Sequence, residues 1–234
     1  MKVAELGRET AFCKSCGSTM RTRAIIHILS TELFGESLIL PDFPVRTDIT
    51  GIGMSDWDGY ALMLARKFNY KNTFYHQEPK LNITHIDPAL EGRFDFVISS
   101  DVFEHVCPPV SVAFENVRKL LKPDGVLIFT VPYSKEKGTV EHFPESHDYQ
   151  IIETDERHIL KNTTKGGVSQ VFENLVFHGG DGLTLEMRLF SESSLMEEFH
   201  RAKLNKLKIY KDSDFDHGIH WGVDWSLPMS VKAS

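Results

Sequence analysis

Two runs of near-continuous apolar residues, FDFVIS at Phe94–Ser99 and VLIFTV at Val126–Val131, constrain this chain more than any other feature. A strand that is apolar at every position is covered on both faces, the pattern of a parallel sheet sandwiched between helices. The stretch between them supplies the crossover, with helical spacing over Val112–Leu121 and a turn at Lys122–Gly125. Upstream, VRTDITGIG at Val45–Gly53 reads as a short strand running into a glycine turn. Asp56 is expected to cap the helix that follows, with Tyr60, Leu64 and Phe68 on one face. Short strands are expected at Asn72–His76 and Leu81–His85. The alternation from Val45 to Tyr133 predicts an α/β, Rossmann-like sheet with helices on both faces and right-handed crossovers.

Four segments follow from the same reading. Residues 1–44 hold a CxxC turn and an amphipathic helix, Met20–Phe34, closed by Gly35. Residues 45–133 form the core just described. Residues 134–190, rich in His, Gly, Glu and Asp, read as a β-rich insertion covering the sheet, with β-leaning runs at Tyr149–Glu153 and Gln170–Phe177. Residues 191–234 complete the core with a helix capped by Ser191 and running to Leu204, then strands at Lys206–Tyr210 and near Trp225–Val231.

Composition narrows the functional classes. Lys plus Arg is 26 against 33 Asp plus Glu, a net charge of −7 that argues against a protein whose main work is gripping nucleic-acid phosphates. No run approaches the roughly 18 apolar residues of a spanning helix, and MKVAELGRETAF carries charges where a signal peptide is apolar. A cytoplasmic monomer or homodimer without a membrane partner is expected. The odd count of three cysteines suits a reducing compartment.

Ligands of doubly wound sheets sit beyond the carboxyl ends of the strands, and GIGMSD at Gly51–Asp56 stands where the first turn would touch one. FDFVISSDVFEHV, Phe94–Val106, and LLKPDGVLIFTVPY, Leu120–Tyr133, follow in order. With these strings the chain resembles the class I S-adenosylmethionine-dependent methyltransferases, closely over Val45–Tyr133. The resemblance implies S-adenosylmethionine as cofactor, with Gly51, Gly53 and Ser55 at the first turn and Glu78 accepting from both ribose hydroxyls. It also implies Asn82 and Ile83 near the adenine, and Ser100 and Asp101 beside the sulfonium. The chain departs from the family pattern in that Asp48 lies three residues before Gly51 and Ser55 replaces the third glycine. Asp87 is an alternative to Asn82 for the adenine.

Glu104 and His105 lie at the mouth of the strand ending in Ser99, where a general base reaches a substrate. The string FHGGDG, Phe177–Gly182, would bend a loop over the site and bring His178 and Asp181 near substrate. Glu104, His105 and His178 are therefore the catalytic candidates, and Tyr133, His142, Asp181 and Trp221 the substrate-binding ones; Glu141 is a further potential base. Trp225, His217 and His220 accompany Trp221 before the last strand. No HExxH or facial-triad spacing appears, and Cys13 and Cys16 lack a second pair, so no metal is expected and the CxxC reads as a zinc-free turn. Arg21 and Arg23 are solvent-facing or substrate-facing cations. No NPPY-like string follows Ser100, which disfavours methylation of nucleic-acid amino groups.

The resemblance implies a methyltransferase acting on a small molecule or saccharide, and the many potential bases point to oxygen as the acceptor atom. The alternative is a catalytically degenerate methyltransferase-like binding or scaffold domain. A nicotinamide-dependent oxidoreductase is disfavoured by the missing third glycine.

Overall fold

The computed structural model describes residues 7–9, 13–155, 157–178 and 184–233. Helix α1 (Met20–Phe34) begins where Thr19 and Thr22 cap each other's backbone amides, at 3.2 and 2.9 Å, and ends at Gly35 in the left-handed region. The core follows as β1 (Arg46–Met54), α2 (Asp58–Lys67), β2 (Phe68–Thr73), β3 (Phe94–Ser100), α3 (Ser111–Leu120) and β4 (Leu121–Thr130). The insertion carries β5 (Tyr133–Ser134), β6 (Val140–Glu141), β7 (Asp148–Glu153), β8 (His158–Thr163), β9 (Ser169–Phe172), β10 (Phe177–His178), β11 (Thr184–Leu185) and β12 (Arg188–Ser191). Helix α4 (Glu192–Arg201), capped by the Ser191 hydroxyl, then leads to β13 (Leu204–Ile209) and β14 (Met229–Ala233).

Six strands form one sheet in the order β13-β14-β4-β3-β1-β2. Strands β1 to β4 are parallel, and β14 and β13 add an antiparallel edge. The chain moves outward to β2 and then back across β1 to β3, so strand order reverses between β1 and β3. Their carboxyl ends are where an open α/β sheet holds its ligand.

The apolar runs are buried on both sides, as their composition demands. Phe96 and Ile98 pack with Ile25, Ile28 and Leu29 of α1 and with Tyr60 and Leu64 of α2. Val97 faces the other way, toward Phe114 and Val117 of α3 and Phe199 of α4. The insertion has a small core of its own, Phe143, Leu160, Leu185 and Met187, under the antiparallel sheet β7-β8-β9. Among the described residues no helix is long and apolar enough to cross a membrane.

Several local expectations are corrected, the first being that Phe68 begins β2 instead of lying on the preceding helix, so the strand expected at Asn72–His76 runs over Phe68–Thr73. Leu81–His85 is not a strand: the Asn82 side chain accepts from the Thr84 amide at 3.0 Å, and this local turn displaces a ladder. Asp56 does not cap α2, whose N-cap is Trp57 without a side-chain bond, because the Asp56 carboxylate is turned inward. The last strand starts only at Met229, since Ser226 has φ of 53° and its hydroxyl bonds both the amide and the carbonyl of Tyr133.

Gly51 has a packing cause. A Cβ there would overlap the ring of fully buried Phe96, which lies parallel to Tyr70 and edge-on to Phe68. Gly51→Ala is expected to cost about 1–3 kcal/mol through overpacking, read as a lower urea midpoint. An unchanged midpoint would show that the Phe96 ring has room to move.

Candidate functional site

The turn after β1 is Ser55–Trp57, so Gly51 and Gly53 lie inside the strand rather than in the turn. Ser55 takes φ of 56°, the conformation for which glycine is the usual choice, and its amide is tied to the Thr73 carbonyl of β2. The space where a Cβ of Gly53 would go is filled by the Asp56 carboxylate and the Tyr70 hydroxyl. Asp56 is buried there, accepting from Tyr60 at 2.7 Å and from Tyr70. Burial drives its carboxyl up to about 7, against the pull of the two tyrosine hydroxyls and of Arg21. Asp48, by contrast, sits at the far end of β1, paired with Arg46 at 2.6 Å on the surface.

The end of β3 carries charge of both signs. Asp101, with φ of 53°, accepts from Arg8 at 2.7 and 3.0 Å and from Thr130 at 2.9 Å. Burial opposes its ionisation, but the guanidiniums of Arg8 and Arg21 hold its carboxyl below the usual range. Arg21 reaches from α1 to Glu9 and Ser100 and lies 3.3 Å from Asp101. It faces the site, whereas Arg23 bonds the Gly218 and Ser18 carbonyls. Glu78 is exposed just past β2, one of its oxygens accepting from the Lys80 amide. Asn82 is exposed in its own turn, Asp87 caps the short helix Pro88–Leu90, and the Ile83 side chain is in the core.

One turn beyond Asp101, the short helix Phe103–His105 meets the insertion. Arg188 of β12, wholly buried, donates to the carbonyls of Phe103 at 2.8 Å and Val106 at 2.5 Å and to Glu141 at 2.7 Å. The Met187 amide adds a bond to the Glu104 carbonyl at 2.8 Å. These ties bring the three catalytic candidates together. His105 Nε2 is 3.7 Å and His178 Nδ1 3.8 Å from Glu104 Oε1, and the imidazoles meet edge to face with centroids 4.8 Å apart. His142 joins at one remove, since Glu186 accepts from His178 Nε2 at 2.8 Å and from His142 Nε2 at 2.9 Å. Burial, reinforced by the charges of Asp101 and Glu186, pushes the Glu104 carboxyl well above the usual range, and burial lowers His105.

The remaining candidates lie apart. Tyr133 is buried in the core below Ser226, and Trp221 packs on Met20, Ala24 and Ile219 at the start of α1. Asp181 lies outside the described residues. His217 bonds Asp214 at 2.7 Å, and His220 stacks on Phe215. Cys13 and Cys16 close a tight turn through Gly17, whose amide bonds the Cys13 carbonyl at 2.8 Å. Sequence reading overlooked Arg8, Glu186 and Arg188. For Arg188 the signal was a charge embedded in the apolar string EMRLF.

Residues 35–174 match the family model described as a methyltransferase domain. The chain belongs to that family. Among solved structures it is similar to a 1,6-didemethyltoxoflavin-N1-methyltransferase of Burkholderia thailandensis, with bound 1,6-didemethyltoxoflavin and S-adenosylhomocysteine. That match has 14% identity and a TM-score of 0.50, over 92% of this chain and 78% of that one. It is also similar to an S-adenosylmethionine-bound amino pentose methyltransferase of Micromonospora echinaspora, at 12% identity and a TM-score of 0.49 over 93% of each chain. No curated protein matches. The first of these likenesses agrees with the Rossmann-like sheet described above, and S-adenosylmethionine is the cofactor the methyltransferase family implies.

The donor set at the carboxyl edge fits that molecule. The guanidiniums of Arg8 and Arg21, here bonded to Asp101, Glu9 and Ser100, would meet its carboxylate, Asp101 its ammonium or sulfonium, and the exposed Glu78 its vicinal diol.

The perturbed acid of this edge gives a pH test. The folded-state pKa of Asp56 is raised above the unfolded value of about 4, so the native chain keeps a proton the unfolded chain gives up, and stability falls as pH rises from about 4 to about 7. The melting temperature of Asp56→Asn should therefore gain on that of the parent across this window. Parallel curves from pH 4 to 8 would refute the buried neutral acid.

Proposed function

We propose that the protein transfers a methyl group from S-adenosylmethionine to a hydroxyl of a small molecule or saccharide. The observation that carries the acceptor atom is the cluster of Glu104, His105 and His178 at the mouth of β3, under the insertion. When bound, S-adenosylmethionine supplies an electrophilic methyl group, whose C–S bond breaks with the electron pair returning to sulfur as a new bond to the acceptor forms. A hydroxyl must lose its proton in that step, whereas an amine attacks through its lone pair. Two imidazoles beside a buried carboxyl are equipment for withdrawing a proton, and an amine acceptor has less need of it. Asp101 stands three residues from Glu104, so the cofactor edge and the acceptor cluster share one turn of chain. The insertion covers that turn through Arg188 and limits the entry of water as a competing nucleophile. The net negative charge supports a small acceptor over a nucleic acid.

Calorimetric titration with S-adenosylhomocysteine, with NAD as control, tests the cofactor. Micromolar binding of the first alone is expected, and Glu78→Ala should weaken it about tenfold to a hundredfold by removing a charge-assisted acceptor. No binding of either would leave the degenerate scaffold as the reading. In a screen of hydroxylated acceptors, sugars first, His105→Ala and His178→Ala should keep S-adenosylhomocysteine affinity within about threefold and lower turnover about 10²-fold or more. Turnover within twofold of the parent would remove both histidines from the reaction.

A further inference from the structure

Glu104 has no exposed surface, and neither of its carboxyl oxygens receives a hydrogen bond from the described residues. Burying a carboxyl group without a hydrogen-bond partner is costly in either protonation state, and most of all when it is ionised. The two nitrogens aimed at Oε1, from His105 and His178, stand at 3.7 and 3.8 Å, too far for hydrogen bonds. They are close to the spacing of two ligands on one tetrahedral ion, about 3.4 Å when each bond is near 2.1 Å.

The outer nitrogens settle which lone pairs face inward. His105 Nδ1 lies 2.8 Å from the Leu185 carbonyl, which can only accept, so this nitrogen carries the proton and Nε2 presents a lone pair to Glu104. His178 Nε2 faces Glu186 at 2.8 Å, which fixes its proton there and leaves Nδ1 free toward Glu104. Glu186 is in turn held by His142. Ligating histidines elsewhere are oriented by this same kind of outer acceptor. All three ligand atoms lie within 4.8 Å of one another.

From this arrangement we propose that Glu104, His105 and His178 bind one divalent first-row transition ion, with Leu185 and Glu186 orienting the imidazoles. Two imidazoles and a carboxylate select ions such as Mn²⁺, Co²⁺ or Zn²⁺, and three protein ligands leave a position open. The inference rests on the methyl-transfer reading and revises its proton step: the histidines would act as ligands instead of as free bases, the open position would receive the acceptor oxygen, and its proton would leave to solvent. Linear spacing gave no hint of this, since two ligands are adjacent and the third lies 73 residues on, from His105 to His178. A second histidine–carboxylate group among the described residues, His27, Asp214 and His217, differs. There Asp214 is bonded by His217 at 2.7 Å and His27 by Ser37 at 2.6 Å, a closed network with no buried acid left over.

The test titrates the chelator-stripped full chain with CoCl₂, following the visible absorption of the bound ion, with zinc content measured by mass spectrometry after loading with ZnCl₂. About one ion per chain is expected, with His178→Ala and the isosteric Glu104→Gln weakening binding about 100-fold or more, and Glu186→Ala about 10- to 100-fold. Circular dichroism of each variant establishes that it folds, and the part-exposed His178 position keeps the test open if Glu104→Gln does not fold. Failure of the parent to bind either ion, or equal binding by the parent and a folded His178→Ala, overturns the site. S-adenosylhomocysteine titration of the same samples separates the two readings: a chain that binds it and no cobalt keeps the methyltransferase and loses the ion, and the opposite pattern does the reverse.

Discussion

A single guanidinium holds this site in register. Arg188 is buried without exposed surface; its Nε donates to Glu141 and its Nη1 to the carbonyls of Phe103 and Val106, which bracket Glu104 and His105, while Nη2 has no partner among the described residues. A guanidinium in the interior is tolerated only where such acceptors replace water, since breaking one leaves an uncompensated charge worth several kcal/mol. The insertion is thereby fixed to the loop after β3 at one point of high cost. The Met187 amide bonds the Glu104 carbonyl and the Met187 carbonyl receives the His142 amide, so Glu186 and His142 take their places from the same latch.

The consequence is a division of labour along one loop. Residues Ser100 and Asp101 belong to the edge of the main sheet and are met by arginines from the amino-terminal segment and α1. Glu104 and His105, a turn later, belong to the insertion. The two halves differ in electrostatic logic. At Asp101 the burial of a carboxylate is answered by guanidiniums, which keep it ionised. At Glu104 it is answered by no described donor, and the carboxyl is pushed toward its neutral form. Two acids three residues apart are thus driven in opposite directions by what surrounds them.

The sheet was legible in the chain because covering both faces leaves no choice of residue: Phe96, Val97 and Ile98 are all fully buried. Helix α1 was legible from its spacing and its glycine stop. The Leu81–His85 strand was misread because Leu81 and Ile83 are core plugs at alternating positions, whereas the Asn82 turn between them sets the backbone. Asp56 was misread for a related reason: a carboxyl before a helix usually caps it, and only the arrival of Tyr60 and Tyr70 turns this one inward. Residue type singled out Glu104, His105, His178 and His142, which the fold brings near one another. What it did not carry was their mutual geometry, because that depends on Arg188 and Glu186, two charges in a stretch that otherwise reads as an ordinary edge strand.

The glycine turn shows how far a local string can be trusted. Gly51 and Gly53 have a packing cause in Phe96 and in the Asp56–Tyr70 pair beside the strand. The residue that takes the left-handed conformation at the edge is Ser55, a type that bears strain there and has a hydroxyl to offer. A string short of one glycine therefore keeps the backbone path that the glycine would have allowed. Loss of a motif letter is weak evidence for loss of function when the conformation the letter encodes is still built. By the same reasoning, the spacing rules that recognise metal and catalytic triads along a helix have no purchase on groups assembled by a latch between two segments. Such sites are read from an unpartnered polar group in the interior, which is the mark that Glu104 bears.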